Sequence, residues 1–164
     1  MNKPIIGAFV CALMALLCVS PALAEKSPRE MVVEIYRLAA GPKGDYSAAS
    51  PLQQRGVRAE FTPSLRKAME AMERRSKKLN EPILDFDPIT NSQDPSVIDL
   101  KIETEKEEAK DATVAASFKQ EQAAKTRTTV RYLFKKEAAA WKLDDIAGDA
   151  SGEKWDLREI IKGE

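Results

Sequence analysis

The stretch LDFDPITNSQDP, from Leu84 to Pro95, divides this sequence into two halves of different periodicity. It contains two prolines, three aspartates, an asparagine and a serine, all of which favour turns. The chain before it has the apolar spacing of helices, and the chain after it has the alternation of strands. The stretch therefore predicts the junction between a helical layer and a β-sheet.

Three helices are predicted before the junction. Ser27-Pro28-Arg29-Glu30 has the pattern of a capping box with proline at the first helical position, and Gly41-Pro42 ends that helix. A short second helix is predicted within Leu52–Phe61. A longer third helix runs from the cap Thr62-Pro63 to about Leu79.

The third helix has an apolar stripe that includes Met69 and Met72. Methionines at this spacing are typical of a helix face packed on a sheet. A pliable binding surface is the alternative, because methionine side chains adapt to irregular partners.

Four strands are predicted after the junction, beginning near Ile98, Ala112, Thr128 and Trp141. Charged or polar turns, at residues 105–111 and 120–125, separate the first three strands. Connections this short join antiparallel neighbours, since parallel crossovers need a dozen residues or more. The four strands therefore form a meander.

The fourth strand goes out of phase after Leu143, and a bulge near Asp144-Asp145 would return Ile146 to the apolar face. Residues 148–152 are predicted to form a flexible turn. Residues 155–161 then form a short closing helix or strand.

The predicted sheet has one apolar face, and the helices of the first half are its cover. The fold class is α+β, with N-terminal helices packed on one face of a curved four-stranded antiparallel sheet. The other face is charged and predicted to be solvated, which favours a monomer or a weak homodimer. Its charged residues are Asp99, Lys101, Glu103, Lys119, Arg127, Arg131 and Lys142.

Residues 1–24 have the features of a cleaved secretory signal peptide: Lys3, the apolar run Ile5–Val19, and Ala22-Leu23-Ala24 as the cleavage site. Residues 25–164 are then one domain, in the periplasm or secreted, with no membrane span after cleavage. A membrane helix is disfavoured because the run is short for a span. Lipidation at Cys18 is a minor alternative, since Leu17 stands where a small residue is expected.

Composition excludes several kinds of chemistry. The sequence has no histidine, and its two cysteines, Cys11 and Cys18, both lie in the predicted signal peptide. No metal ion or cofactor is therefore expected, and a serine hydrolase triad lacks its base. Lysine plus arginine and aspartate plus glutamate number 26 each, so nothing in the net charge predicts a nucleic-acid partner.

The order of elements and three local strings resemble the bacterial domain-of-unknown-function family numbered 3828. The strings are Phe86-Asp87-Pro88, Gln93-Asp94 and Trp141–Ile146. The resemblance implies a small envelope protein, secreted or lipid-anchored, with the cystatin-like (nuclear-transport-factor-two-like) cone and no established catalytic residue. One departure is Ala138-Ala139-Ala140, where the resemblance leads us to expect a glycine before Trp141.

The candidate site lies at the junction, where polar side chains are densest. Its candidate ligand-binding residues are Asp85, Asp87, Asn91, Gln93, Asp94 and, from the loop before, Tyr46. The aspartates and the asparagine are also residues that cap and turn a chain by bonding their own backbone, which is the favoured interpretation. If burial raised one pKa, Asp85 and Asp87 would be able to act as an acid and base pair.

Two classes of function stay open. The first is a non-catalytic binding protein, which takes a small polar ligand in the cone or an envelope protein as partner. The second is a small hydrolase or isomerase that uses an aspartate in the cone. The missing catalytic residue types favour the first.

Overall fold

Helices precede strands in the structure, a computed structural model that describes residues 25–150 and 152–162. The helices are α1 (Pro28–Ala40), α2 (Arg55–Arg58), α3 (Pro63–Leu79) and α4 (Leu157–Lys162), with a 3₁₀ turn at Pro51–Gln53. The strands are β1 (Ile98–Glu107), β2 (Asp111–Lys119), β3 (Thr128–Glu137), β4 (Ala140–Ala150) and β5 (Glu153–Asp156). The α+β class is thereby confirmed.

Helix α1 begins and ends where its sequence predicts. The Ser27 hydroxyl accepts from the Glu30 backbone N–H at 3.3 Å, and Glu30 Oε2 accepts from the Ser27 N–H at 2.8 Å. Gly41 follows the helix with φ +64°, a conformation that glycine adopts without strain. The buried face of α1 consists of Pro28, Met31, Val32, Ile35, Tyr36 and Ala39.

The second predicted helix is shorter than expected, and α3 is as expected. A 3₁₀ turn and the four residues of α2 occupy the predicted span Leu52–Phe61. In α3, the Thr62 hydroxyl accepts from the Leu65 N–H at 3.1 Å, and Asn80 ends the helix in the left-handed conformation. Both methionines of the α3 stripe are buried.

The sheet has five antiparallel strands in the order β1-β2-β3-β4-β5, and the prediction of four was wrong. Strand β4 continues to Ala150 through the predicted flexible turn, and β5 pairs with it. Gly148 explains the extension, because the Trp155 ring of β5 lies over it. A Cβ at residue 148 would be 2.6 Å from that ring.

The predicted bulge in β4 is present. Leu133 pairs with Asp145 and Phe134 pairs with Leu143, which leaves Asp144 as the extra residue. Ile146 is fully buried as a result. Strand β1 differs from expectation, since it continues to Glu107 instead of turning at Glu105.

The β3–β4 hairpin turns without the expected glycine. Ala138 and Ala139 have φ +46° and +74° between the paired residues Glu137 and Ala140. A two-residue loop with both central residues at positive φ is the arrangement of a type I′ turn. Alanine is strained there because its Cβ crowds the backbone.

Ion pairs cross the charged face of the sheet. Arg131 Nε lies 2.8 Å from Glu105, and Lys119 Nζ lies 3.9 Å from Asp99. Lys142 does not take part, because its Nζ donates to Ala59 O at 2.9 Å, beside α2. These pairs are partly exposed to solvent, so each contributes about 1 kcal/mol or less.

The core lies between the helices and the apolar face of β2, β3 and β4. At its centre the Tyr36 ring of α1 packs edge-on against Phe118 and Tyr132, each at 6.1 Å between centroids. No helix among residues 25–150 and 152–162 is long and apolar enough to cross a membrane. The predicted signal peptide, with Cys11 and Cys18, lies outside the described residues.

Candidate functional site

The junction is a closed turn built around Asp87. Its backbone N–H donates to Ser92 O at 3.0 Å, and its carbonyl accepts from Asn91 N–H at 2.8 Å. Its side-chain Oδ1 accepts from the Ile89 N–H at 3.0 Å. Asp87 thus orders its own turn, the structural role that the sequence favours for these residues.

The Asp87 carboxylate is also half-buried at the wall of a groove. Burial raises its pKa above the usual value, and the Ile89 N–H and the nearby Ser50 hydroxyl offset part of this effect. The Ser50 hydroxyl itself completes no hydrogen bond of standard geometry. Asp87 accepts one side-chain hydrogen bond of standard geometry, from the Ile89 N–H, and a carboxylate has further acceptor sites that a ligand in the groove is able to use.

We call this concavity the junction groove, and it has a volume of about 610 Å³. It lies between α3, the 3₁₀ turn and the junction. Its apolar lining consists of Leu52, Met69, Met72, Pro82, Ile83, Leu84, Phe86 and Pro88, and its polar lining of Ser50, Gln53, Arg58, Glu73, Ser76, Lys77 and Asp87. Its lining is about equally polar and apolar, so the groove offers a ligand both hydrogen-bonding groups and apolar contact.

One ion pair forms part of the groove wall. The Arg58 guanidinium binds Glu73 of α3, and its Nε donates to Leu52 O at 2.9 Å. This hydrogen-bonded pairing lowers the pKa of Glu73. Because Arg58 is held at both ends of its guanidinium, the wall is fixed in place rather than free to reorient.

Buried hydroxyls continue the polar surface behind Asp87. Tyr36 OH donates to Ile89 O at 2.8 Å. Among the described residues, three buried side-chain oxygens have no partner: Ser50 Oγ, Thr90 Oγ1 and Tyr132 OH. Burial raises the pKa of Tyr36 and of Tyr132, with Asp87 adding to both effects, so the junction is a poorly solvated polar region.

The structure does not bring the other predicted site residues into the groove. Asp85, Gln93 and Asp94 are exposed. Asn91 joins the junction to the sheet, because its Nδ2 donates to Asp149 O and its Oδ1 accepts from Trp155 Nε1, both at 2.6 Å.

Tyr46 is half-buried with φ +59° and packs against the core, outside the groove lining. The predicted pairing of Asp85 with Asp87 as acid and base is disfavoured by the exposure of Asp85. Of the six predicted site residues, Asp87 alone lines the junction groove.

Several lining residues have no signal in the sequence. Ser50, Arg58 and Glu73 look like ordinary loop and helix residues, and only the fold places them together. Met69 and Met72 had a signal in their stripe. Both methionines are buried in the core and both line the groove, so the structure is compatible with a packed helix face and with a binding surface.

Within the described part of the chain, no group of three or more acidic, histidine or cysteine side chains is placed to hold a metal ion. No family model matches this chain, and neither a curated protein nor a solved structure matches it. The functional argument therefore depends on the geometry of the groove.

Proposed function

We propose that this is a non-catalytic binding protein of the cell envelope, which holds a small ligand in the junction groove. The observation that carries the proposal is the half-buried Asp87 carboxylate, with the Ser50 hydroxyl close beside it, on a groove that also offers apolar contact. Export by the predicted signal peptide and the cystatin-like cone belong to the same proposal. The resemblance described above and the N-terminal sequence support them.

The lining defines the ligand class. Arg58 and Glu73 satisfy each other, so the wall adds little net charge. Asp87 accepts hydrogen bonds, and the methionines and prolines offer apolar contact. The expected ligand is an uncharged or weakly cationic amphiphile, whose donor group faces Asp87 and whose apolar part lies on Met69 and Met72.

A matched pair of lysines tests the location. Lys77 lines the groove, whereas Lys78, next to it on α3, does not, and both are exposed. We expect Lys77→Trp to weaken binding of the neutral amphiphile N-phenyl-1-naphthylamine at least tenfold, because the indole occupies groove volume. We expect Lys78→Trp to bind like the wild type. Fluorescence titration measures both.

Native mass spectrometry of the chain purified from its own host tests whether a ligand is present. A reproducible additional mass of a few hundred daltons, absent from Lys77→Trp, supports the proposal. Equal probe binding by both tryptophan variants would place the ligand elsewhere. A co-purifying protein on the wild type, with no small ligand, would favour the alternative of an envelope protein partner.

One observation favours a second candidate, a hydrolase or isomerase that uses Asp87 as a base. Burial raises the pKa of this groove carboxylate, which moves it in the direction that general bases need. Asp87→Asn separates the two proposals. A binding protein shows no turnover and loses affinity when this acceptor carboxylate is replaced, whereas an enzyme keeps much of its binding and loses turnover. Asp85→Asn, at an exposed position of the same turn, is the control.

A further inference from the structure

A second buried carboxyl group lies outside the junction groove. Asp145 follows the bulge in β4 and is 7% exposed. Its Oδ1 accepts from the backbone N–H of Ile146 at 2.8 Å and of Arg158 at 3.1 Å. The carboxyl group of Asp156 in β5 lies at the same place, the start of the helix α4, where its Oδ1 accepts from the Glu159 N–H at 3.2 Å. Two carboxyl groups held close together bind one proton between them more readily than they ionise together.

The cations around this pair are held by Asp144. Arg158 of α4 binds Asp144 Oδ1 at 2.5 Å and the Asp144 carbonyl at 2.6 Å. Lys135 of β3 lies 3.2 Å from Asp144 Oδ2. From the N-terminus of α3, Thr62 donates to Asp144, and Ser64 accepts from Arg158. Asp144 is thus the neutralised carboxylate of this cluster, and Arg158 and Lys135 pair with it rather than with Asp145.

The pKa of Asp145 reflects this arrangement. Burial raises it first, and the hydrogen bond and charge of Asp156 raise it further, to about 7. The hydrogen bonds from Ile146 and Arg158 act in the opposite direction and do not cancel the effect. The folded protein therefore takes up a proton at Asp145 at a pH where an exposed aspartate is ionised.

The pair lies where the end of the described chain attaches to the sheet. We call residues 153–162, comprising β5 and α4, the closing segment. Asp156 Oδ1 accepts from the Glu159 N–H at 3.2 Å at the start of α4, and α4 buries Leu157 and Ile161. Asp145 and Asp156 thus join β4 to both elements of the closing segment.

The closing segment also contacts the junction. The Trp155 ring packs edge-on against Phe86 at 5.1 Å between centroids, and Trp155 Nε1 donates to Asn91. Phe86 lines the junction groove. Any loosening of the closing segment therefore reaches the groove wall through a direct side-chain contact.

We propose that the Asp145–Asp156 pair is a proton-dependent latch, which holds the closing segment on the sheet in mildly acidic conditions and weakens as the pair loses its shared proton. The protonated pair donates one hydrogen bond between its carboxyls, whereas the doubly ionised pair places two like charges in a poorly solvated site. The proposal does not depend on a ligand in the groove.

The direction with pH follows from linkage. A carboxyl group whose pKa is higher in the closed state binds more protons there than in the open state. Its contribution is complete below the ordinary aspartate value and is lost as pH rises through about 7. With one proton involved, the ratio of closed to open segment falls by up to about tenfold per pH unit in this window.

Hydrogen exchange of the full chain tests the latch. Protection factors, corrected for the intrinsic pH dependence of exchange, are measured at pH 5 and pH 8 for backbone amides of residues 153–162. We expect wild-type protection to fall on the order of tenfold or more between the two conditions. Amides of β2 and β3 in the same molecules are the internal reference and should change much less.

Two isosteric variants complete the test. Asp145→Asn cannot ionise and its amide is able to donate to Asp156, so its closing segment should stay protected at both pH values. Asp156→Asn removes the like charge and should reduce the pH effect even if the first variant folds poorly. Asp85→Asn should behave as the wild type. Unchanged wild-type protection, or an equal fall in both asparagine variants, would overturn the proposal.

Discussion

Two tyrosines at the centre of the core, one in α1 and one in β3, have hydroxyl groups with different contacts. Tyr36 OH donates to Ile89 O at 2.8 Å, whereas Tyr132 OH is buried without a partner. The two hydroxyls are neighbours, and burial raises the pKa of both. A buried hydroxyl with a partner stabilises a fold, and one without a partner costs the free energy of its lost hydration.

Removing each hydroxyl should therefore have opposite consequences. Tyr36→Phe leaves the buried Ile89 carbonyl without its donor and is expected to lower the free energy of unfolding by about 1–2 kcal/mol. Tyr132→Phe is expected to leave it unchanged or raise it by up to about 1 kcal/mol. Urea unfolding measures both. A loss in Tyr132→Phe as large as that in Tyr36→Phe would mean that the hydroxyl has a partner, either the neighbouring Tyr36 hydroxyl or a bound water.

The β3–β4 hairpin shows how one element is formed against local preference. Its two turn residues, Ala138 and Ala139, both have positive φ. The flanking strands hold them there, because the pairing continues from Glu137–Ala140 along the whole hairpin. The sequence places alanine at this turn, so the strain is compensated by packing of the strands, with Trp141 among the buried residues.

Glycine should relieve that strain. Ala139→Gly is expected to raise the free energy of unfolding by about 1 kcal/mol, since the cost of positive φ exceeds the added chain entropy of the unfolded state. Ala123→Gly, in the turn between β2 and β3 where φ is not positive, is the control and should be neutral or destabilising. Thermal unfolding measures the stability of both variants. Equal shifts of their melting temperatures from the wild-type value would contradict the strain argument.

Elements defined by local signals were predictable. Ser27, Thr62 and Gly41 mark helix ends through their own backbone chemistry, and the change of phase at Ile146 shows the bulge. A closing helix or strand was predicted at residues 155–161, but the pairing of β5 with β4 was not, since it depends on Trp155 lying over Gly148. The sequence around a glycine near a turn does not show whether the glycine allows a bend in the chain or leaves space for an aromatic ring to pack on it.

At the scale of the molecule, carboxyl groups with shifts of opposite sign set the pH dependence of stability. Hydrogen bonds from Thr62 and Lys135, with the charge of Arg158, outweigh burial and lower the pKa of Asp144. Such a group stabilises the fold above the ordinary aspartate value and loses that contribution as pH falls. Asp145, with its pKa raised to about 7, acts in the opposite direction.

Stability should consequently peak on the acidic side of neutrality. The free energy of unfolding is expected to fall by about 2–4 kcal/mol as pH rises from 4 to 7.5, since each unit of pKa difference is worth about 1.4 kcal/mol. It should also fall below pH 4, as Asp144 and Glu73 become protonated. Urea unfolding across pH 3–8 measures this, and Asp145→Asn should remove the loss on the neutral side. A steady rise from pH 4 to 8 would contradict it.

The candidate site was only partly predictable because it is a property of the whole molecule. Asp87 lies in the turn-rich stretch that the sequence singles out, and the structure places it at the groove. Its partners Ser50, Arg58 and Glu73 come from three other segments, which meet only when α3 packs beside the junction. Local sequence patterns cannot show which of several polar turn residues will line a groove that distant segments form.

The strand order β1-β2-β3-β4-β5 has a kinetic consequence. Every strand pairs with its neighbours along the chain, so the sheet is able to grow one hairpin at a time, each closing a short loop. The contact of α1 with the sheet joins segments much further apart, as the hydrogen bond from Arg29 to Ile102 O shows. Folding is therefore expected to be fast for a mixed protein of this size, with the docking of α1 as its slower event.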